Sequence, residues 1–282
     1  MRIQVLGPLT ADLNGTSIVP TAAKQRQILA LLALYPNRIL PTSTLIHEIW
    51  GDHPPRRALT TLQTYILQLR RRITHALAGE PPAGPDTTAK DVLTTRHCGY
   101  QLTLPPADPD RHALDLQAYN DLTTRGQEAF NRGHDLDANA RFHEALALWN
   151  GPALVDISPG PILSTEIIRL EESRLVTLER RIDTDLRLGR HNELIPELTH
   201  LTHQHPHHEG LHAQAMVALY RAGRQTTALT TYHHLRHRLT AELGIQPSPH
   251  LQHLHHAILT LDPTLNTPAT SLHPTTYNLY PA

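Results

Sequence analysis

The stretch "LTTLQTYILQLRRRI", residues Leu59–Ile73, contains neither glycine nor proline and is predicted to form one helix. A helix turns by about 100° per residue, so apolar residues that recur every three or four positions share one face. We expect that face to pack inward, and it contains Leu59, Leu62, Ile66, Leu69 and Ile73. The rest of the helix surface decides what the protein contacts.

The opposite face carries Thr60, Thr64, Leu67 and Arg71, and it is flanked by the amides of Gln63 and Gln68. Such groups match base edges, because glutamine pairs with adenine, arginine with guanine, and an apolar group with the thymine methyl. Arg70 and Arg72 flank this face and are placed to contact phosphates. The helix alone is equally consistent with an ordinary solvated surface.

The surrounding sequence predicts a small α+β domain. In chain order we expect short strands, two helices, the Leu59–Ile73 helix, a loop and a hairpin. The segments other than that helix are "RIQVLGPLTADLNGTSIV" (2–19), "AAKQRQILALLALYP" (22–36), "TSTLIHEIWG" (42–51), "GEPPAGPD" (79–86) and "DVLTTRHCGYQLTL" (91–104). Arg96 falls at the hairpin tip, and a basic tip that enters a minor groove beside a helix in the major groove is typical of winged-helix proteins.

The rest of the chain is different in charge and is predicted to be helical. Residues 1–104 hold 11 Lys and Arg against 6 Asp and Glu, a net charge of +5, whereas residues 105–282 hold 14 against 20, a net charge of −6. This asymmetry favours an anionic partner for the first part. The Pro-rich "PPADPDR" (105–111) marks the boundary.

A repeat of 34 residues, the tetratricopeptide period, separates Gly189 from Gly223. When Gly133, Gly189 and Gly223 are aligned, the positions 5, 9 and 12 residues after each glycine hold small or apolar residues. These residues are Ala138, Leu194 and Ala228, then Phe142, Leu198 and Tyr232, then Ala145, Leu201 and Leu235. The pattern predicts stacked helical hairpins with an extended binding surface, and an ordinary helical bundle is the alternative.

Composition limits the remaining possibilities. Of the 22 histidines, 18 lie after residue 104, spread among polar residues in a way that favours solvated faces over a metal site. We expect no cofactor. Cys98 is the only cysteine, and the chain has no secretory signal or membrane-spanning run, so we expect a cytoplasmic, nucleoid-associated protein with no membrane partner.

Two regions resemble the Streptomyces antibiotic regulatory protein family. "LIHEIWGDHPPRRALTTLQTYILQLRRRI" with "TTRHCGYQL" resembles its DNA-binding domain, a variant of the OmpR-type winged helix. The segments at 141–157, 166–198 and 211–259 resemble its bacterial transcriptional activation domain, a tetratricopeptide-like array. The resemblance implies an α+β winged helix at 1–104, a linker at 105–110, an all-α array at 111–262 and, after it, a tail at 263–282 that we expect to be disordered.

The resemblance also implies a function, a pathway-specific activator of antibiotic biosynthesis genes. Such an activator binds direct repeats of double-stranded DNA near a promoter's −35 region, as a homodimer or as side-by-side copies, and recruits RNA polymerase, including the sigma factor. By position it implies DNA contacts from Arg38, Trp50, Thr60, Gln63, Thr64, Gln68, Arg70, Arg71 and Arg96. The turn Gly51, Asp52, His53, Pro54 and Pro55 matches a loop that touches polymerase.

This chain departs from the family at the DNA-facing surface. Leu59 and Gln68 stand where arginine is common, and His97 and Cys98 stand where the wing usually has two prolines. Arg56 and Arg57 restore positive charge nearby, so the operator sequence stays open.

Two other function classes are alternatives to a DNA-binding activator. An enzyme is disfavoured because the sequence has no Gly-x-x-x-x-Gly-Lys-Ser/Thr, His-Glu-x-x-His or Gly-x-Ser-x-Gly motif. A helical adaptor whose first domain no longer binds DNA is the second alternative.

Overall fold

The computed structural model describes residues 1–78, 88–105 and 112–266. Among these residues, no helix is long and apolar enough to cross a membrane. The chain begins with a three-stranded antiparallel sheet of β1 (Arg2–Gln4), β2 (Thr10–Leu13) and β3 (Thr16–Ser17). Asn14 and Gly15 join β2 to β3 with φ angles of 51° and 76°, as a tight hairpin turn requires. The strands and turns predicted for this segment are therefore present.

Three helices follow the first sheet, α1 (Ala23–Leu34), α2 (Thr42–Trp50) and α3 (Ala58–Leu77). Helix α3 contains the whole stretch Leu59–Ile73, which was predicted to be helical. Four of its five predicted core residues are buried, but Leu59 is 50% exposed, so its assignment to the core was wrong. Leu59 lies in the first turn of α3, where the preceding residue, Ala58, takes the buried position instead.

A second sheet completes this part of the fold. It contains β4 (Leu40–Pro41), β5 (Leu93–Arg96) and β6 (Gly99–Leu102) in the order β4-β6-β5. The predicted hairpin is present but starts later than expected, because the short helix α4 (Ala89–Val92) takes its first residues. Gly99 permits the close pairing of β4 with β6, since a Cβ there would overlap the Leu40 carbonyl oxygen.

The described residues beyond 112 are almost entirely helical, which agrees with the predicted fold class. The helices are α5 (Asp115–Asn131), α6 (Asp135–Ala147), α7 (Pro161–Arg187), α8 (His191–Gln204), α9 (Glu209–Arg221), α10 (Gln225–Arg238) and α11 (Pro249–Leu259). A π-helical turn, Leu239–Leu243, follows α10. A 3-10 turn, Pro263–Asn266, buries Leu265, so the predicted disordered tail does not begin at residue 263.

The three aligned glycines each end a helix and begin the turn to the next. Gly133, Gly189 and Gly223 have φ angles of 75°, 78° and 74°, in the left-handed region where glycine carries no steric cost. In each turn the residue after the glycine donates its N–H to a carbonyl five residues back, for example Arg190 to Asp185 at 2.9 Å. All nine residues at the aligned offsets are buried, so the period read from the sequence corresponds to packed helical hairpins.

The chain divides into two compact units. The first contains Met1–Thr123 and Glu144–Leu175, and the second contains Thr124–His143 and the described residues from Val176 onward. The core of the first unit includes Ile3, Leu31, Leu62, Leu104, Leu114, Tyr119, Trp149, Leu163 and Leu170. The Pro-rich segment predicted as a linker therefore does not separate two cores, although 106–111 lie outside the described residues, as does the whole of the predicted loop at 79–86.

The second unit has its own apolar core, which includes Met216, Tyr232, Leu251 and Ile258. It also buries charge. Arg181 is 6% exposed and bonds to Asp185 at 3.1 Å, and Asn139 donates to the same carboxylate at 2.8 Å. Buried charges in proteins need such partners, because an unpaired ion away from water is costly.

Candidate nucleic-acid interface

The exposed face of α3 is the predicted DNA-reading stripe. Thr60, Gln63, Thr64 and Arg71 are all exposed, and Leu67 is 49% exposed. The Thr64 hydroxyl donates to the Thr60 carbonyl oxygen at 3.0 Å, so its oxygen remains available as an acceptor. The stripe therefore presents amide, hydroxyl, apolar and guanidinium groups to the surroundings along one side of the helix.

Gln68 occupies a different position from the rest of the predicted stripe. Its side chain is half-buried, and its Oε1 accepts a hydrogen bond from Gln25 Nε2 on α1. Gln25 is itself 9% exposed. This amide pair joins α1 to α3, so Gln68 positions the helix and is not directed outward with Gln63 and Thr64.

Arg70 is bonded to the hairpin and is not a free cation. Its Nε and Nη2 donate to the Leu93 carbonyl oxygen at 2.9 and 2.7 Å, and Nη2 also donates to Thr95 Oγ1 at 2.7 Å. A planar guanidinium can hold one carbonyl with two donors in this way, whereas an ammonium cannot. Arg70 thus fastens β5 to α3, and a phosphate contact would compete with these bonds.

The hairpin tip carries the predicted wing residue. Arg96, His97 and Cys98 are all exposed, and a two-residue turn joins β5 to β6. Arg96 Nε donates to Gln101 Oε1 at 3.0 Å across the hairpin, which orients the side chain along the strands. The tip therefore presents a cation with an exposed thiol and imidazole beside it.

The two other predicted backbone contacts come from outside α3. Arg38 is exposed in the turn after α1. The Trp50 and Tyr65 rings are nearly parallel, with centroids 6.4 Å apart, and Lys24 Nζ lies 4.9 Å from the Trp50 centroid. Trp50 is half-buried, so it presents only part of its ring, with a cation beside it.

The predicted polymerase loop is an exposed turn between α2 and α3. Gly51 ends α2 with a φ angle of 59°, and its N–H bonds to the His47 carbonyl oxygen at 2.7 Å. The following residues are all exposed, namely Asp52, His53, Pro54, Pro55, Arg56 and Arg57. The loop is therefore available for contact from outside the domain.

Sequence reasoning missed the buried acid that holds α2 in place. Glu48 is 1% exposed. Its carboxylate accepts backbone N–H bonds from Gly160 at 2.7 Å, Ile162 at 2.8 Å and Leu163 at 3.1 Å, and a side-chain bond from Gln27 at 2.9 Å. A carboxylate at a helix N-terminus satisfies backbone donors and interacts favourably with the helix dipole, so Glu48 caps α7.

Two more carboxylates hold the start of the chain in the same unit. Asp115 accepts N–H bonds from Val5 at 3.0 and 2.9 Å and from Leu6 at 3.0 Å, and burial raises the pKa of its carboxyl group. Asp156 accepts the Leu9 N–H at 2.8 Å and forms an ion pair with Arg26. These bonds link the β1–β2 segment and α1 to residues more than 100 positions away in the sequence.

A tyrosine on the turn after α1 makes a similar long-range link. The Tyr35 hydroxyl donates to Glu166 Oε1 on α7 at 2.6 Å. Burial, with the neighbouring carboxylate, raises the pKa of Tyr35 to about 12, so the phenol stays protonated and remains a donor. The turn after α1 is therefore bonded to α7.

The described residues contain no group of three or more His, Cys, Asp or Glu side chains able to hold a metal ion. Histidines of α10 and α11 pack against rings instead, with His255 stacked on Tyr232 at a centroid distance of 4.0 Å.

Comparison with protein families gives two matches. Residues 15–102 match the family described as "Transcriptional regulatory protein, C terminal", and residues 114–259 match "Bacterial transcriptional activator domain". The two matches lie in the order predicted for the winged helix and the helical array.

Individual relatives agree with these matches. The chain is 52% identical over 267 residues to "Regulatory protein DnrI" of Streptomyces peucetius, covering 94% of each chain. It is 36% identical over 282 residues to "Regulatory protein AfsR" of Streptomyces griseus, of whose length it spans only 27%. Among solved structures, Mycobacterium tuberculosis EmbR in complex with a low-affinity phosphopeptide is similar, with a TM-score of 0.83 and 29% identity, over 94% of this chain and 68% of that one.

Proposed function

Because the chain belongs to the Streptomyces antibiotic regulatory protein family of transcriptional regulators, we propose that it binds double-stranded DNA through α3 and the β5–β6 hairpin and activates transcription. The family relatives named above are regulatory proteins and not enzymes.

One observation carries the proposal, the exposed polar stripe of α3 next to a basic hairpin tip. Gln63 and Thr64 lie on the half of the helix that enters the major groove and read base edges there. Arg71 contributes charge to the same face, and Arg96 enters the neighbouring minor groove, where the potential is most negative. Arg38 and Trp50 approach the phosphate backbone.

The contacts assigned to Gln68 and Arg70 are indirect in this proposal. Each side chain already bonds within the domain, Gln68 to α1 and Arg70 to β5. We therefore assign Gln68 to orienting α3 against α1 and Arg70 to orienting α3 against the hairpin, and we assign direct phosphate contact to Arg71.

The proposed activator binds direct repeats near the −35 region of promoters for antibiotic biosynthesis genes. One such module buries a small area on DNA, so two copies side by side raise the apparent affinity through effective concentration. In this proposal residues 1–104 contact DNA, and the exposed turn Gly51–Pro55 and the array at 111–262 contact RNA polymerase and its sigma factor.

A mobility-shift assay on promoters near the protein's own gene tests the DNA contacts. Gln63→Ala should lose about 1–3 kcal/mol of binding free energy on the cognate repeat and much less on random DNA, because contacts to base edges depend on the DNA sequence. Arg2, an exposed arginine on β1, supplies the matched control, since Arg2→Ala should bind as the wild type does. Absence of any shift with the wild-type protein would favour a helical adaptor instead.

In vitro transcription with purified polymerase holoenzyme tests activation. Arg96→Ala should lose binding and activation together, because the wing only serves DNA contact. Combined substitution of Asp52 and His53 by alanine should keep DNA binding and lower transcript yield. An unchanged yield from the loop variant would remove the loop from the polymerase contact.

A further inference from the structure

A surface pocket lies beside the second half of α3 and is distinct from the exposed stripe. Its volume is about 470 Å³. Ser17 of β3 and Thr21, just before α1, line one side, and Arg71, Arg72 and His75 of α3 line the other. Only Arg71 belongs both to the pocket and to the exposed part of the DNA-facing stripe.

The pocket is cationic. Among the described residues, none of the side chains that line it is acidic, and neither Arg71 nor Arg72 forms an ion pair. A concave surface lined by charge of one sign concentrates the electrostatic potential and attracts an ion of the opposite sign. Guanidinium groups bind phosphate through paired N–H donors, which makes a phosphate the best-matched ligand.

The other lining groups suit the same ligand. The Ser17 oxygen accepts the Val19 N–H at 3.4 Å, so its own O–H remains able to donate to an anion. Gln25 and Gln68 also line the pocket, and their mutual hydrogen bond holds its two sides, α1 and α3, together. The pocket is therefore braced by a bond in the folded chain before any ligand arrives.

The position of the pocket on α3 indicates where the phosphate comes from. Residues on either side of Arg71 in sequence project to opposite sides of the helix, because each step turns it by about 100°. Arg70 faces the hairpin, to which it is bonded, and Arg72 faces the pocket. A helix in the major groove, a groove about 12 Å wide, has one phosphate backbone on each side.

We propose that this pocket binds one phosphate of the DNA backbone, on the side of the major groove away from the wing. The inference rests on the proposed function, since it requires α3 to lie in the groove. Arg72 is the principal ligand, with Arg71, Ser17 and Thr21 around the same phosphate. The hairpin and the pocket then fix the two edges of the groove, and α3 reads the bases between them.

Neutral-phosphate scanning of the operator tests this assignment. Single phosphates of the shifted duplex are replaced in turn by uncharged methylphosphonates, and affinity is measured for wild type, Arg72→Gln and the control Arg2→Gln. At one phosphate on the side away from the wing, we expect the methylphosphonate to lower the DNA affinity of the wild type and of the control by about tenfold. Arg72→Gln should bind unmodified DNA about tenfold more weakly than the wild type does, and the methylphosphonate at that position should not weaken its binding further. The slope of log K against log salt should be smaller for Arg72→Gln by about 0.9.

Three outcomes would overturn it, and they are separable. If Arg72→Gln matches the control on every duplex while the wild type still binds its operator, the pocket holds no DNA phosphate and the proposed function stands. Calorimetric titration tests binding of inorganic phosphate to the wild type and to Arg72→Gln. If only the wild type binds inorganic phosphate and both proteins bind DNA with the same affinity, the pocket serves a free anion. If neither the wild type nor any variant binds DNA, the proposed function itself is refuted, and the pocket assignment with it. Thermal unfolding of Arg72→Gln should match the wild type, which excludes a folding defect.

Discussion

Removal of the Glu48 carboxylate should destabilise the first unit strongly. In Glu48→Ala, the N–H groups of Gly160, Ile162 and Leu163 lose their acceptor in a site that is 1% exposed, and the Gln27 amide keeps only its bond to the backbone carbonyl oxygen of residue 48. Loss of a helix cap costs about 0.5–2 kcal/mol, and each buried donor left unsatisfied costs about 1–3 kcal/mol before the site relaxes. We expect a loss of about 3 kcal/mol, a large fraction of the ~5–15 kcal/mol that typically stabilises a domain.

Urea denaturation followed by tryptophan fluorescence measures this loss directly. Both tryptophans, Trp50 and Trp149, lie in the first unit, so the signal reports on that unit. Glu48→Gln should lose less, because one oxygen remains as an acceptor. Glu172→Ala removes an exposed carboxylate from α7 and serves as the control. If Glu48→Ala and Glu172→Ala unfold at the same urea concentration with equal slopes, the cap does not stabilise the unit and the reasoning is refuted.

Single contacts elsewhere in the chain lead to three more predictions. Arg70→Lys should destabilise the hairpin by about 1–3 kcal/mol, because an ammonium cannot hold the Leu93 carbonyl with two donors. The backbone amides of β5 should then exchange hydrogen faster than in the wild type, and an unchanged exchange rate would contradict this prediction. Gly160→Ala should lower the melting temperature, since the new Cβ would overlap the Glu48 carbonyl oxygen, and a wild-type melting temperature would argue against that close approach. Burial lowers the pKa of His212 to about 4, so the folded state resists a proton that the unfolded state accepts below pH ~6.5. Stability should therefore fall between pH 6.5 and 4, by about 3 kcal/mol more in the wild type than in His212→Gln, and equal pH profiles in urea titrations would refute it.

Features that depend on short-range patterns could be predicted from the sequence. The glycines 34 residues apart and their buried neighbours follow from helix geometry, which repeats locally, and the hairpin follows from alternation around a short turn. The apolar stripe of α3 was predicted for the same reason. Leu59 was the exception in that stripe, because the pattern gives the face of a helix but not where the core beneath that face ends.

Features that depend on distant partners could not be predicted. Glu48 stands in the helical stretch "LIHEIW", where a charged residue is expected to face water, and its backbone N–H partners lie more than 110 positions later. Helix geometry places Arg71 in the stripe with Arg70 and Arg72 on either side of it, but the sequence cannot tell which of that flanking pair meets the hairpin and which lines the pocket. Their different roles come from residues 93, 17 and 21, brought close only by the fold.

Contacts within the first unit join the winged-helix part of the chain to helices α5 and α7. Helix α3 exposes its polar stripe on one side, while its apolar side belongs to the core that also contains Leu163 and Leu170 of α7. Glu48 and Tyr35 add polar bonds from the winged-helix part to α7, and Asp115 of α5 accepts bonds from the residues just after β1. Because these apolar residues belong to one closely packed core, we expect a shift of α3 to disturb the packing of the first turns of α7 as well. Cutting the chain at the Pro-rich segment would therefore remove part of the core on which α3 packs, and we expect a loss of DNA binding by such a fragment to reflect lost folding and not the loss of a proposed DNA contact.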